Sequence, residues 1–101
     1  MTAKLVVLYA TPDDPAAFDA HYRDVHVPLV EKIPGVQRWS VAKFVGAADD
    51  GDVPFHQIVE LHFADPDALR AAFASDEGKA AAADYGQLAP AGSRMFIAVA
   101  D

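Results

Sequence analysis

Cysteine is absent from this chain of 101 residues. The chain also lacks an excess of basic residues and any long apolar run, and each of these absences argues against a class of protein or site. The lack of cysteine excludes disulfides, thiolate metal sites and cysteine nucleophiles. A formal net charge of −7 disfavours nucleic acid and anionic membranes as partners, because both bind through basic surfaces. The longest apolar run, Leu5 to Ala10, is much shorter than the ~20 residues that span a bilayer. It also lacks a signal-peptide pattern, so we expect a cytoplasmic protein.

The common motifs for nucleotide binding and nucleophilic catalysis are missing as well. The sequence contains no G-x-S-x-G elbow, no P-loop and no G-x-G-x-x-G. Metal binding is disfavoured, because His21 and His26 are five residues apart and would point away from each other on an α-helix. His56 and His62 would lie about 20 Å apart along one strand at ~3.3 Å per residue. We therefore expect no metal and no cofactor.

The hydrophobic content of 52% suits a single globular domain over residues 1–101. Asp14–Pro15 and Asp65–Pro66 are helix starts, since an aspartate N-cap followed by a first-turn proline is typical of that position. The alternation from Phe55 to Phe63 predicts a strand that is buried on one face. We predict strands at 5–10, 36–45, 55–63 and 95–100, and helices at 15–32, 66–75 and 76–84.

The order strand, helix, strand, strand, helix, strand makes two split βαβ halves. This order predicts an α+β, ferredoxin-like βαββαβ fold with a four-stranded antiparallel sheet. Helices would cover one face of the sheet and leave the other face open. Because a large apolar sheet face does not stay exposed on a monomer, we expect a homodimer through the open face, with an enclosed space between the two sheets.

The helix that follows Asp14 carries the main candidates for chemistry. Phe18, Tyr22, His26 and Leu29 form one helical stripe. His26 stands two residues before Pro28, where the helix must end or bend, and its ring titrates near neutral pH. His26 is either a proton-transfer group or a structural residue that caps backbone carbonyls. Tyr22 either orients a ligand or packs in the core with its hydroxyl bonded, and His21 is expected to be exposed.

A second set of candidates comes from the two middle strands. His56 and Glu60 would project onto the open face and line the cavity of the dimer, where Glu60 must be paired or have a raised pKa. Either state suits general acid–base work, although an ion pair with Arg38, Lys43 or Arg94 is an equal alternative for Glu60. The remaining candidates, as ligand-binding residues, are Trp39, Ile58 and His62. The strand at 36–45 can present either face to the cavity.

These residues resemble the EthD family, which is named for a protein of ethyl tert-butyl ether degradation and belongs to the dimeric α+β barrel superfamily. The resemblance rests on a helix of the form F-x-x-H-Y-x-x-x-H-x-P-L followed by a P-G turn. The second half adds I-V-E-L-H-F and A-S-D-E-G, with His62 at a position where the family commonly has an aromatic residue. The matching residues are Phe18, His21, Tyr22, His26, Pro28, Leu29, Pro34 and Gly35.

The resemblance implies a dimer and, by analogy with relatives such as lactone isomerases, polyketide cyclases and quinol monooxygenases, cofactor-free chemistry. We therefore expect a small catabolic enzyme that acts on an apolar, oxygenated or aromatic-derived molecule. His26 and His56 would move protons, Tyr22 and Glu60 would orient or polarise the ligand, and Trp39 would wall the pocket. The alternatives are a non-catalytic ligand-binding or accessory protein, and a haem binder with a histidine as axial ligand.

Overall fold

The computed structural model describes residues 1–101 and contains four strands, four α-helices and one π-helical turn. Both Asp–Pro segments start helices, as predicted. The Asp14 carboxylate accepts the Ala17 N–H, and the Asp65 carboxylate accepts the Ala68 N–H. In chain order the elements are β1 (Thr2–Ala10), α1 (Pro15–His21), a π-helical turn (Tyr22–His26), α2 (Val27–Val30), β2 (Arg38–Lys43), β3 (Phe55–Phe63), α3 (Pro66–Ala74), α4 (Asp76–Leu88) and β4 (Arg94–Ala100).

The four strands form one antiparallel sheet in the order β2-β3-β1-β4. This order and the two helical crossovers confirm the predicted ferredoxin-like α+β fold. The predicted bounds of the third strand were correct. The last helix was predicted too short: α4 continues past Asp84 and through Gly86 to Leu88, two residues before Pro90.

The first helix does not end at Pro28, although proline removes one backbone donor. The chain instead widens into the π-helical turn, in which the Val27 N–H donates to the Tyr22 carbonyl five residues back. The helix then resumes as α2 with Pro28 in its first turn, where a missing N–H costs nothing. The extra residue in this turn shifts the buried stripe, so Val30 is buried where the α-helical pattern predicted Leu29.

The helices cover one face of the sheet and leave the other face bare. Strand pairing and burial place Val7, Tyr9, Val59 and Leu61 on the covered face, against the helices. The opposite face, called the open face below, carries side chains from all four strands. Its members are Lys4, Val6, Leu8, Arg38, Ser40, Ala42, Ile58, Glu60, His62, Arg94, Phe96 and Ala98.

Helices α3 and α4 pack closely at a glycine. A Cβ atom on Gly78 would lie 2.0 Å from the Ala72 carbonyl oxygen, so no other residue fits this position without a shift of backbone. The contact fixes the start of α4, whose Ser75 N-cap accepts the Gly78 N–H. None of the helices combines the length and the apolar character that crossing a membrane requires.

Candidate functional site

A cavity of about 540 Å³ lies between the covered face of the sheet and the helices. Its size falls in the range of small-molecule sites, and all but two of its 18 lining residues are apolar or aromatic. The two exceptions are His26 and Arg70. This cavity lies on the opposite side of the sheet from the open face, and the space that we expect between the open faces of two protomers is a separate prediction. The helices do not pack flush against β1, β3 and β4, and this gap forms the cavity.

His26 supplies the most reactive group in the cavity wall. Its Nδ1 lies 2.8 Å from Oδ2 of Asp84 on α4, and its Nε2 lies 3.5 Å from the Tyr9 hydroxyl. The short contact with a carboxylate assigns the proton to Nδ1 and leaves the lone pair on Nε2. The Tyr9 contact is at the long limit for a hydrogen bond, so it engages Nε2 only weakly.

The π-helical turn brings a second histidine to the same carboxylate. The Nε2 atom of His21 lies 2.9 Å from Oδ1 of Asp84, so His21 and His26 both bond one side chain. The predictions that these two rings point apart and that His21 is merely exposed were wrong. They assumed α-helical geometry, whereas residues five apart align along a π-helical turn. Asp84, His21 and His26 are called the Asp84 cluster below.

The electrostatics of the site favour a neutral His26 and an ionised Asp84. Burial lowers the pKa of His26, and the hydrogen bond to Asp84 opposes this effect only in part. Burial by itself would raise the pKa of Asp84, but the hydrogen bonds from His21 and His26 outweigh it and the net pKa is lowered. Burial also raises the pKa values of Tyr9, Tyr22 and Tyr85, so these hydroxyls keep their protons at neutral pH.

Tyr22 lines the cavity with a hydroxyl that has no hydrogen-bond partner in the protein. The side chain is buried and its ring stacks on Phe18. A buried hydroxyl without a partner costs roughly 1–3 kcal/mol. The expected core role, with the hydroxyl bonded to a neighbour, is therefore not what the structure shows. The Tyr22 hydroxyl is therefore an unpaired buried donor on a residue of the cavity wall.

His56 does not lie on the open face, where the sequence analysis placed it. Tyr9 pairs with Gln57 and Ala10 pairs with Phe55, so His56 is an extra residue at a β-bulge. The bulge turns its ring toward α1, where it meets the Phe18 ring edge-on and its Nε2 lies 2.9 Å from Oδ1 of Asp19. A strict alternation of strand residues cannot anticipate a bulge. His56 is not among the cavity-lining residues.

Glu60 lies on the open face as predicted, but it faces away from the cavity and is paired. The Lys4 ammonium donates to its carboxylate at 2.7 Å. This hydrogen bond outweighs the opposing effect of burial and, with smaller Coulombic effects from neighbouring side chains, holds the pKa of Glu60 below its usual value. The anticipated ion pair therefore exists, with Lys4 in place of Arg38, Lys43 or Arg94. A paired, ionised Glu60 is a poor general acid.

The three predicted ligand-binding residues lie outside the cavity wall. Trp39 faces the helices and packs against the core, which settles the orientation of β2. Ile58 lies on the open face. His62 borders a smaller recess of about 230 Å³ at the end of the sheet, beside Lys4 and Arg38. Each of the three side chains lies on the sheet face that strand alternation assigns to it, and none of them lines this cavity.

Sequence reasoning missed Asp84 and Tyr9. Asp84 is 58 residues from His26 and stands in an alanine-rich helix, so no local motif marks it. One signal was available: Gly78, Ala81 and Asp84 are spaced by three, which places a carboxylate on the buried face of α4. No group of three or more histidine, aspartate or glutamate side chains has the mutual geometry to hold a metal ion.

Comparison with known proteins identifies the family. Residues 11–90 match the EthD domain, and this chain belongs to the EthD family. A protein of Rhodococcus erythropolis, described only as an uncharacterized 11.0 kDa protein of the thcB–thcC intergenic region, is 41% identical over 95 residues, which are 93% of this chain and 90% of the relative. A crystal structure of an EthD family protein from Bacillus halodurans superimposes with a TM-score of 0.92 at 36% identity, over 100% of both chains.

More distant structures share the fold. SnoaB from Streptomyces nogalater, a cofactor-independent oxygenase, aligns with a TM-score of 0.69 at 18% identity, over 98% of this chain and 92% of its own. At this identity the likeness concerns the fold alone. The fold and its structural neighbours fit the dimeric α+β barrel superfamily.

Proposed function

We propose that this protein binds a mostly apolar small molecule in the cavity beside the helices, and that His26 transfers a proton to or from it without a cofactor. The observation that carries the proposal is the Asp84–His26 hydrogen bond in the cavity wall, which leaves Nε2 as the basic nitrogen. The apolar lining supports an apolar ligand, and the Tyr22 hydroxyl provides a donor for one oxygen of that ligand.

The chemistry that this arrangement supports is proton abstraction next to a carbonyl. Nε2 of His26 would take a proton from the carbon atom, and the electron pair of the broken C–H bond would move to the carbonyl oxygen as an enolate. A hydrogen bond from the Tyr22 hydroxyl would stabilise that oxygen. His26 would then return the proton at another position, which completes an isomerisation or a cyclisation with no net redox change. Asp84 would stabilise the imidazolium while it exists.

The substrate class follows from the same lining. An oxygenated hydrocarbon or an aromatic-derived ketone, phenol or lactone would place its apolar body against the β-strands and its oxygen at Tyr22 and His26. Degradation of such compounds is the setting in which the EthD family received its name, so we place this protein in catabolism. SnoaB, a cofactor-independent oxygenase with the same fold, supports cofactor-free chemistry for this protein.

The alternative function is binding without turnover, with the protein as an accessory of a degradation pathway. The cavity supports it too, because nearly every lining side chain can hold an apolar ligand and only one titratable imidazole reaches it. Under this alternative His26 and Tyr22 would bind the ligand oxygen and no proton would be transferred.

The two functions are separated by identifying the ligand and then following its fate. Native mass spectrometry of the purified protein would detect retained small molecules, and NMR in D₂O would report turnover or deuterium incorporation. We expect His26→Gln to lower kcat/KM by about 10²–10⁴-fold, the usual contribution of a general base. The control is His56→Gln, which removes an imidazole outside the cavity. Full activity of His26→Gln would refute the role of His26 as the base, and inert retention of the ligand by the wild-type protein would favour the binding function.

We further propose a homodimer that pairs through the open face. Val6, Leu8, Ile58 and Phe96 give this face a continuous apolar centre, and Phe96 is 45% exposed in the single chain. Analytical ultracentrifugation should show a dimer at micromolar concentration and a monomer for Phe96→Glu. Val45→Glu, at a fully exposed loop position, is the matched control and should remain dimeric. A monomeric wild-type protein would refute this proposal.

A further inference from the structure

The Asp84 cluster contains two basic rings and one acidic group, and the mechanism above uses only one of the rings. His21 Nε2 lies 2.9 Å from one carboxylate oxygen of Asp84 and 3.2 Å from the other, while His26 Nδ1 lies 2.8 Å from Oδ2. Both rings therefore direct an N–H at the same carboxylate. A single negative charge can balance one imidazolium, but a second imidazolium would be repelled by the first.

The two rings differ in their access to water, and this difference decides which of them carries the charge. The side chain of His21 is 37% exposed, whereas the side chain of His26 is 7% exposed. Burial disfavours the charged form of an imidazole. The positive charge is therefore more stable on His21, next to Asp84 and water, than on His26 in the cavity wall.

The surroundings of His26 provide no other anion that could compensate its charge. Tyr9 faces it from β1 and Tyr22 from the π-helical turn, while Tyr85 of α4 packs on Tyr9 in the same cavity wall, and burial keeps all three hydroxyls protonated. Arg70 from α3 lines the same cavity and has its guanidinium paired with Asp67 at the surface. Asp84 is thus the one carboxylate that either histidine can use at this cavity.

We propose that His21 is a positioning residue that holds the proton of the Asp84 cluster and thereby keeps His26 as the neutral base. His21 acts through Asp84: an ion pair between them weakens the pull of the carboxylate on a proton at His26. This inference rests on the base role of His26 proposed above, but it concerns where the proton lies and is measurable without a substrate. The π-helical turn is the structural cause, because it places both rings on one side of the helix.

The test is a pH titration of the ring nitrogens by ¹⁵N NMR on wild type and two variants. His21→Gln keeps a hydrogen-bond donor to Asp84 but cannot hold a charge, so we expect the titration midpoint of His26 to move up. His21→Lys restores a positive charge within reach of Asp84, so the midpoint should return toward the wild-type value. His56→Gln removes an imidazole that is bonded to a different carboxylate, and it should leave the His26 midpoint unchanged.

The outcomes separate this inference from the proposed function. An unchanged or lowered His26 midpoint in His21→Gln, or an equal upward shift in His21→Lys, overturns the role of His21. The expected shifts combined with full turnover of His26→Gln would overturn the proposed function and leave the location of the proton intact. A purely structural role of His21 would disturb both His21 variants alike, and circular dichroism would confirm that each variant is folded.

Discussion

This molecule contains two clusters in which an aspartate carboxylate bonds a histidine, and the two clusters differ in burial. In the Asp84 cluster the carboxylate is 9% exposed and both partners are imidazoles. In the second cluster Asp19, 31% exposed, bonds His56 and the half-exposed Lys43. The hydrogen bond from Lys43 lowers the pKa of Asp19, and the hydrogen bond from His56 lowers it further. Burial raises the pKa of Asp19 but does not outweigh these two hydrogen bonds. The same pair of side chains thus occurs once at a cavity and once near the surface.

The comparison shows that an Asp–His pair gains chemical significance from its surroundings. The ammonium of Lys43 provides a permanent positive charge for Asp19, and His56 is not among the residues that line the cavity. The Asp84 cluster lacks such a permanent charge, and two imidazoles of different exposure share its one carboxylate. The following predictions test that contrast, beginning with the largest expected effect.

Replacement of each aspartate by asparagine should separate the clusters by activity. Asp84→Asn loses the charge that stabilises the His26 imidazolium, so we expect kcat/KM on an identified substrate to fall by about 10²-fold or more. Asp19→Asn should stay within about twofold of wild type, because neither Asp19 nor its partners Lys43 and His56 line the cavity. Equal losses in both variants would show that the clusters are not functionally distinct.

The pH dependence of stability should also distinguish the clusters. Because burial lowers the pKa of His26 in the folded state, stability is complete above the unfolded value of about 6.5 and is lost as pH falls toward the folded value. One proton changes the free energy of unfolding by at most about 1.4 kcal/mol per pH unit, so we expect a loss of at most about 2 kcal/mol between pH 6.5 and 5. Urea denaturation at both pH values measures it.

The controls for this prediction are two glutamine variants. His26→Gln has no ring to protonate, and its stability should depend less on pH over this range than that of wild type. His56→Gln should retain the wild-type dependence. If His26→Gln kept the full wild-type slope, the lowered pKa of the buried ring would not be the cause.

Removal of the free hydroxyl in the cavity should affect function and stability in opposite directions. Tyr22→Phe deletes a buried group that has no protein partner, so the free energy of unfolding should be unchanged or should rise by up to ~1 kcal/mol. Ligand affinity should fall, because the ligand oxygen loses its donor. Isothermal titration and urea denaturation measure the two effects. A clear loss of stability would contradict a free hydroxyl.

The smallest effect is expected at the exposed pair. Lys43→Met removes the ammonium from Asp19, and we expect a change of less than ~1 kcal/mol in the free energy of unfolding, which added salt should reduce further. Thermal denaturation at low and high ionic strength would detect it. A loss of several kcal/mol would mean that the Asp19 cluster is a structural support comparable to the core.

Much of the fold follows from local patterns in the sequence. The alternation from Phe55 to Phe63 gave the strand bounds, and the Asp–Pro pairs marked the starts of α1 and α3, because capping and pleat periodicity are local effects. The stripe through Phe18, Tyr22 and His26 also predicted the buried side of the first helix. His26 and Tyr22, two of the four predicted catalytic residues, lie in the wall of the cavity.

The remaining features of the site depend on departures from regular geometry and on distant contacts. The π-helical turn reversed the expected relation of His21 and His26, and the bulge at His56 moved that ring to the other side of the sheet. Neither feature has a periodic signature, because each consists of one extra residue. Asp84 reaches His26 only after α4 packs against the π-helical turn and α2.

The sequence by itself determined the family, the order of strands and helices, and a buried histidine ahead of Pro28, since these depend on local propensity and spacing. Only the tertiary structure decided which side of the sheet holds the cavity and which carboxylate meets that histidine. The reason is physical: burial and charge pairing arise between segments far apart in the chain, and their geometry exists only once those segments pack together.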